Sequence, residues 1–426
     1  MHLFKTIFRT VFAKGLGSVV NFLIVLLTAR LMGAESKGEI SLVVLNITVI
    51  LLLSDVLGGG ALVFLVPRYK LYSLLIPSWI WGVICGLLFP ALFFLFGHMS
   101  QTDYVAMTLL SVFLNLSSIN SSALNGKEKI RENNIVSLVQ VFVLLGGLLY
   151  FIFLQGTKTP HVFYASLLLS YAISFLLSLY YLRKDIVRAP SIQFRRMMKQ
   201  MIRSGFSTQV GNAVQLLNFR LSFYLLNHYF PFGGKAMVGV YSTAASICES
   251  VWVISNGIAM VQYARIANMG NRKEAQELTI ALSKISFLAT LLAVGIMLCL
   301  PSGLFVSLFT SEFIQLPYII ACLSAGICAF GLASMYSHYF SGIGKMHISA
   351  TGSLVGFIVT LVLGFILVPR YGVTGAALTA CCSYLSTATF LFIRFKSESG
   401  KGLVPLLFNY TGIFSSLKEQ AGHVRN

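Results

Sequence analysis

Residues 183–204 read RKDIVRAPSIQFRRMMKQMIRS, seven basic side chains (Arg183, Lys184, Arg188, Arg195, Arg196, Lys199, Arg203) against the one acidic Asp185. This is the longest polar interruption between apolar runs, and it falls near the middle of the chain. The chain has 426 residues, 57% of them hydrophobic and 10% charged, whereas a soluble domain carries about 25% charged residues. At roughly 20 residues per transmembrane helix there is room for about a dozen crossings and no sizeable soluble domain. That excludes most enzymes built on a water-filled cleft.

On either side of this segment the apolar runs, bounded by charge, Gly or Pro, lie at 11–31, 40–66, 73–96, 104–124, 134–154 and 161–182, then at 205–229, 236–263, 281–309, 317–341, 349–368 and 373–393. The expectation is an all-α polytopic membrane protein with about 12 transmembrane helices. With both ends in the cytoplasm, 25 of the 31 basic residues fall on the inner side, five (Arg30, Lys37, Lys158, Lys235, Arg370) on the outer side, and Arg220 within span seven. Basic residues concentrate on the cytoplasmic side of membrane proteins, so both termini are expected there. The net charge of +18 therefore reads as topology and contact with anionic lipid, not as nucleic-acid binding.

The halves resemble one another. At an offset of 216 residues, Leu116, Ser118, Ser121, Gly126, Lys129, Ser137, Leu138, Val139, Val143, Leu145 and Gly156 recur as Leu332, Ser334, Ser337, Gly342, Lys345, Ser353, Leu354, Val355, Val359, Leu361 and Gly372. Six spans repeated as six give parallel repeats, one of the two repeat architectures of secondary transporters, with the substrate site between the halves. The expected organisation is a six-helix lobe over 1–182, a basic cytoplasmic linker over 183–204, a second six-helix lobe over 205–393 and a central cavity. A cytoplasmic tail over 394–426 follows, with an interfacial helix expected at Leu403–Phe414. No removable signal peptide is read at Met1–Arg9. The seven cysteines lie within apolar runs and the seven His are scattered, which points to packing rather than to a metal site.

Of the thirteen acidic residues only Asp55 and Glu249 fall within a span, and with Arg220 they are the deep charges. Such groups are costly in lipid and are functional candidates by default. At 100° per residue, polar lines form on span one (Lys14, Ser18, Asn21, Thr28), span two (Ser41, Thr48, Asp55), span seven (Ser204, Thr208, Gln215, Ser222) and span eight (Ser242, Ser246, Glu249, Asn256). Spans four and ten carry shorter lines, which read as helix packing. Arg220 projects away from the line on its own helix, so it either pairs with Glu249 or faces the cavity. Lys284 is expected to snorkel to the cytoplasmic interface. Gly58-Gly59-Gly60 marks span two as the flexing element.

Four stretches carry a family resemblance. Pro369-Arg370-Tyr371-Gly372-Val373-Thr374-Gly375-Ala376-Ala377 resembles the IPxYGxxGAA signature of the polysaccharide-export branch of the MOP superfamily. Ala29-Arg30-Leu31-Met32-Gly33, followed by Lys37-Gly38, resembles its ARxLG ending of helix one and the later YG position. Val238–Ala244 resembles vGxYxxA, and Gly342–Lys345 resembles the G.GK turn before helix eleven. Met32 stands where Leu is usual, and Ser222 stands where relatives often carry an acidic residue.

The resemblance implies a Wzx-type O-antigen flippase of the bacterial inner membrane. Such a protein moves undecaprenyl-pyrophosphate-linked oligosaccharide to the periplasmic leaflet by alternating access, alongside an O-antigen polymerase and chain-length regulator. Such a substrate offers a pyrophosphate that needs cations and sugars that need hydroxyl and amide partners. Lys14, Arg30 and Arg220 could supply the first, and Asn21, Gln215 and Asn256 the second. Asp55 and Glu249 then serve as coupling or structural charges. No catalytic residue, cofactor or metal is called for. The alternatives are a MATE-like ion-coupled antiporter, which would call for a tighter aromatic or acidic pocket where this interior has as much basic as acidic character, and a membrane glycosyltransferase or polymerase. The latter is disfavoured by the short outer loops and the lack of a D-x-D motif.

Overall fold

The computed structural model of the chain describes residues 2–95, 101–186, 194–267, 269 and 271–400, with side chains described from Gly15 onward except at 102, 207, 260, 264 and 267. Leu403–Phe414 lies outside the described residues, which are mostly helical and contain no strand. The helices are α1 (His2–Ser54), α2 (Gly59–Leu65), α3 (Leu71–Leu95), α4 (Gln101–Gly126), α5 (Ile130–Leu149), α6 (Pro160–Leu182) and α7 (Phe194–Tyr229), then α8 (Gly234–Ser250), α9 (Trp252–Ala267), α10 (Arg272–Cys299), α11 (Ser302–Phe309), α12 (Leu316–Gly342) and α13 (Met346–Ser399).

Eight helices among the described residues are long and apolar enough to cross a membrane, nine when the bent pair α8–α9 counts as one span. Two of them, α1 at 53 and α13 at 54 residues, would each run to roughly 80 Å if straight, far beyond a bilayer. Each instead turns at a glycine in the left-handed region, Gly33 (φ 82) and Gly372 (φ 54), and supplies two crossings. With α7, 36 residues long but too polar to pass the same test, the crossings number twelve.

Three elements depart from the sequence reading. Span nine, expected over 281–309, is α10 from Arg272 followed by the separate α11. Asn271 caps α10 by accepting from the Lys273 amide, and Leu300, extended ahead of Pro301, ends it. Because α10 starts early, Lys284 lies twelve residues, about 18 Å, along it. It is 6% exposed and holds a polar partner, so it does not snorkel. Second, α7 begins at Phe194, so part of the basic segment is helix, and its Met197 and Met201 are fully buried against Leu62, Leu65 and Leu182. Third, span eight breaks between Ser250 and Trp252, with its two parts bent by 42°. Neither Gly nor Pro marks this break. The Val251 amide closes a tight turn onto the Cys248 carbonyl at 3.2 Å.

Contacts divide the chain into two compact units, Met1–Ala213 and Val214–Asn426. Within each, small residues let helices close up. A side chain at Gly86 would press on the backbone of Val112 in the first unit, and one at Gly326 on Cys381 in the second. Toward the C-terminal ends of α12 and α13, Tyr336 stacks on Phe395 at 4.9 Å and Tyr339 meets it edge-on at 5.0 Å.

Candidate functional site

Asp55 lies at the break in span two, between α1 and α2. The carbonyls freed there are taken up by side chains: Trp81 Nε1 donates to Leu53 O at 2.9 Å, Ser78 Oγ to Leu57 O at 2.6 Å, and Gln209 Nε2 to Asp55 O at 3.4 Å. Backbone off the helical path at membrane depth is tolerated when neighbours satisfy it in this way. The half-buried Asp55 carboxylate accepts from the Ser118 hydroxyl at 3.5 Å and from the Gly59 amide. A side chain at Gly58 would lie 3.0 Å from Asp55 Oδ1, and one at Gly59 (φ 46) 3.1 Å from Asp55 Cβ. The glycines thus cradle the carboxylate, a more specific role than the flexing expected of them.

In the second unit Arg220 and Glu249 pair fork to fork, Nη1 to Oε1 at 2.8 Å and Nη2 to Oε2 at 2.7 Å, with 26% and 18% of their side chains exposed. Of the two readings left open by the sequence, the pair is the one observed. Glu249 stands at the last turn of α8, directly before the break. Beside it, Phe219, Trp252, Phe330 and Tyr384 form an aromatic box, with every centroid distance between 4.5 and 5.7 Å. Trp252 also donates to Ile327 O at 3.2 Å, so both flanks of the break are held.

Asn218, one turn along α7 from Gln215, was not singled out by the sequence and is the hub of a buried polar knot. Its Oδ1 accepts from Thr360 Oγ1 at 2.6 Å and from Ser383 Oγ, which also donates to Gly356 O at 2.9 Å. The available signal was its spacing, three residues after Gln215 and four before Ser222, which puts it on the same projected face.

The hydroxyls of the expected polar lines mostly fold back on their own helices. Thr28 donates to Ile24 O, Ser41 to Lys37 O, Thr48 to Val44 O, Thr208 to Ser204 O and Ser246 to Ser242 O. The amides behave differently: Asn21, Gln215 and Asn256 are exposed, as is Arg30, and Asn256 Oδ1 accepts from Ser334 Oγ at 3.4 Å. Ser222 is 3% exposed. The Lys14 side chain lies outside the described residues. No group of three His, Cys, Asp or Glu suited to a metal ion occurs among the described residues.

No family model matches the chain. Over 315 residues, 70% of this chain and 76% of the relative, it is 24% identical to the capsular polysaccharide biosynthesis protein CapF of Staphylococcus aureus. Over 281 residues, 65% of this chain and 66% of the relative, it is 26% identical to a Shigella flexneri protein named "Putative O-antigen transporter". Among solved structures it is similar to the lipid II flippase MurJ in an inward closed conformation (TM-score 0.70, 16% identity, 96% of each chain). It is equally similar to an inward-facing multidrug resistance MATE family transporter of the MOP superfamily (TM-score 0.69, 16% identity, 90% of this chain and 94% of that one). The chain therefore has the twelve-helix fold of MOP superfamily transporters, and its sequence is similar to a protein named for capsular polysaccharide biosynthesis and to one named as an O-antigen transporter.

Proposed function

We propose that the protein is a flippase that moves undecaprenyl-pyrophosphate-linked oligosaccharide from the cytoplasmic to the periplasmic leaflet of a bacterial inner membrane by alternating access. The fold alone does not separate lipid-linked from drug-like cargo, because MurJ and MATE structures match it equally well. The resemblance to capsular and O-antigen proteins favours the glycan. From the structure, the supporting observation is the exposure of Asn21, Gln215 and Asn256 on membrane-crossing helices. An amide facing hydrocarbon loses its hydrogen bonds, whereas one facing a wet lumen can exchange water for sugar hydroxyls.

In this reading the lobes over 1–182 and 205–393 enclose a central cavity, and both termini are cytoplasmic. Lys14 and Arg30 meet the pyrophosphate at the inner and outer ends of span one, while the three amides meet the sugars. Arg220 and Glu249 hold the second lobe together, and Asp55 is the coupling charge. A polymerase and a chain-length regulator receive the product.

Expression in a bacterium deleted for its own O-antigen flippase tests the reading. Restored surface glycan supports it. Efflux of cationic dyes without restored glycan would favour the MATE-like alternative.

A further inference from the structure

Two stripes run along α9, one residue apart. Ser255 and Gln262 are both fully buried and fasten the helix from behind. Ser255 Oγ meets Thr290 Oγ1 at 3.1 Å and accepts from Ser286 Oγ at 2.9 Å, while Gln262 Nε2 donates to Thr279 Oγ1 and to Met335 O, each at 3.0 Å. Asn256 and Tyr263 each follow one of these anchors by one residue, so they stand about 100° round the helix and two turns, about 10 Å, apart. Both are exposed, Tyr263 by 37%, and a side chain at Gly257 would meet nothing within 4 Å. There is open space beside this stripe, on a helix held rigidly at its back.

From α12, Ser334 Oγ donates to Asn256 Oδ1 at 3.4 Å, which leaves the Asn256 Nδ2 donor without a partner among the described residues. One turn on, the half-buried His338 has its Nδ1 2.7 Å from Ser334 O. A carbonyl only accepts, so Nδ1 carries the proton and the neutral ring presents Nε2 as an acceptor. Nε2 too has no partner among the described residues. The Tyr263 ring stands 6.4 Å from the imidazole at 80°. The strip therefore offers an aromatic face, one donor and one acceptor.

The fold does not require these residue types. A side chain at Gly342 would meet Ile266 and Tyr263 O, and one at its repeat partner Gly126 would meet Val66 and Val63 O, so Val63 stands in the first unit where Tyr263 stands in the second. Ser122 lies 216 residues before His338. Ser118 donates to Asp55 as Ser334 donates to Asn256. The same junction is thus built once from an aliphatic, a hydroxyl and an acid, and once from an aromatic, an imidazole and an amide.

We propose that Asn256, Tyr263 and His338 form a subsite of the second unit for the neutral sugars of the lipid-linked glycan that lie beyond the one attached to the pyrophosphate. This rests on the glycan reading above. A pyranose has an apolar face of C–H bonds to lay against the Tyr263 ring and a rim of hydroxyls, each donor and acceptor, to match His338 Nε2 and Asn256 Nδ2. The strip has no acid for a cationic drug. It has no cation for the pyrophosphate either, since Arg265, two residues past Tyr263, projects about 200° away. Its length of about 10 Å is more than one sugar ring spans.

Purified full-length protein in liposomes is given two lipids labelled on the sugar, undecaprenyl-pyrophosphate N-acetylglucosamine and the same lipid extended by two hexoses, and transfer between leaflets is timed. The Tyr263→Val/His338→Ser variant carries the residues that the first unit uses at these positions and should unfold at the wild-type temperature. It should move the three-sugar lipid roughly five- to tenfold more slowly as one or two hydrogen bonds are lost, and the one-sugar lipid at close to the wild-type rate. Tyr263→Phe, which keeps the ring, should stay near wild type on both lipids. The same split between lipids is expected of Asn256→Ala, which decides the matter if the double variant is unstable. Equal slowing of both lipids, or slowing of neither, would overturn the subsite and leave the glycan reading in place. Transfer of neither lipid by folded wild-type protein would overturn both.

Discussion

Arg220 reaches from α7 to Glu249 at the end of α8 and meets it with two parallel hydrogen bonds of 2.8 and 2.7 Å. Bidentate guanidinium–carboxylate pairs are the strong, geometrically specific kind. With about a quarter or less of either side chain exposed, removing one partner leaves a poorly solvated charge. Arg220→Ala and Glu249→Ala should each lower stability by about 3 kcal/mol and reduce membrane abundance, while Arg220→Ala/Glu249→Ala recovers most of it. Thermal unfolding followed by size-exclusion fluorescence measures this. Failure of the double variant to recover would give at least one of the charges a role beyond the pair.

The pair Lys345–Glu398 is a contrasting case, with 32% and 22% of the side chains exposed. Pairs of this exposure contribute about 1 kcal/mol or less. Lys345→Met should lower the unfolding temperature only slightly and leave export near normal, as should Lys129→Met at the repeated pair. A loss of export at normal abundance would show that these lysines meet a substrate or partner.

Packing around Asn218 makes a paired prediction about glycines. A methyl at Gly356 would collide with Thr387 Oγ1 and come within 2.7 Å of Asn218 Nδ2, whereas one at Gly146 meets nothing within 4 Å. Gly356→Ala should destabilise by about 1–3 kcal/mol through overpacking, and Gly146→Ala should be neutral or slightly stabilising in its helix. Equal unfolding temperatures for the two variants would contradict the close packing at Asn218.

Single cysteines placed in a background without the seven native ones test which polar positions are wet. Asn21, Gln215 and Asn256 should react with a small hydrophilic thiol reagent in intact membranes, and Ile358 and Leu361 should not. Uniform protection of the three amide positions would remove them from any aqueous path.

Hydropathy made the spans legible because burial in lipid is an average over twenty residues, and the basic segment at 183–204 marked the midpoint. The breaks were legible only where glycine announced them. At Gly58–Gly60 the sequence showed the interruption, while the break at Val251 arises from a tight turn among ordinary helix formers, held by Trp252 and its aromatic neighbours.

That hidden break also misled the projection, which assumed one straight helix from Ser242 to Asn256. Its acidic member Glu249 proved to be paired with Arg220, and its amide Asn256 lies beyond the bend. Asn218 escaped notice because its partners, Thr360 and Ser383, stand more than 140 residues away, and pattern along one helix carries no information about them. Lys284 was misplaced for a simpler reason: capping by Asn271 starts α10 well before the apolar run begins.

The central claim is movement of a polyprenyl-pyrophosphate oligosaccharide between leaflets, and reconstitution tests it most directly. Purified protein in liposomes carrying a synthetic undecaprenyl-pyrophosphate oligosaccharide, labelled on the sugar, would be treated with a membrane-impermeant glycosidase over time. Protein-dependent exposure of the initially protected half of the sugar, slowed severalfold by Lys14→Ala, is the expected result. Protection unchanged from protein-free liposomes, with protein shown to be folded and inserted, would contradict it.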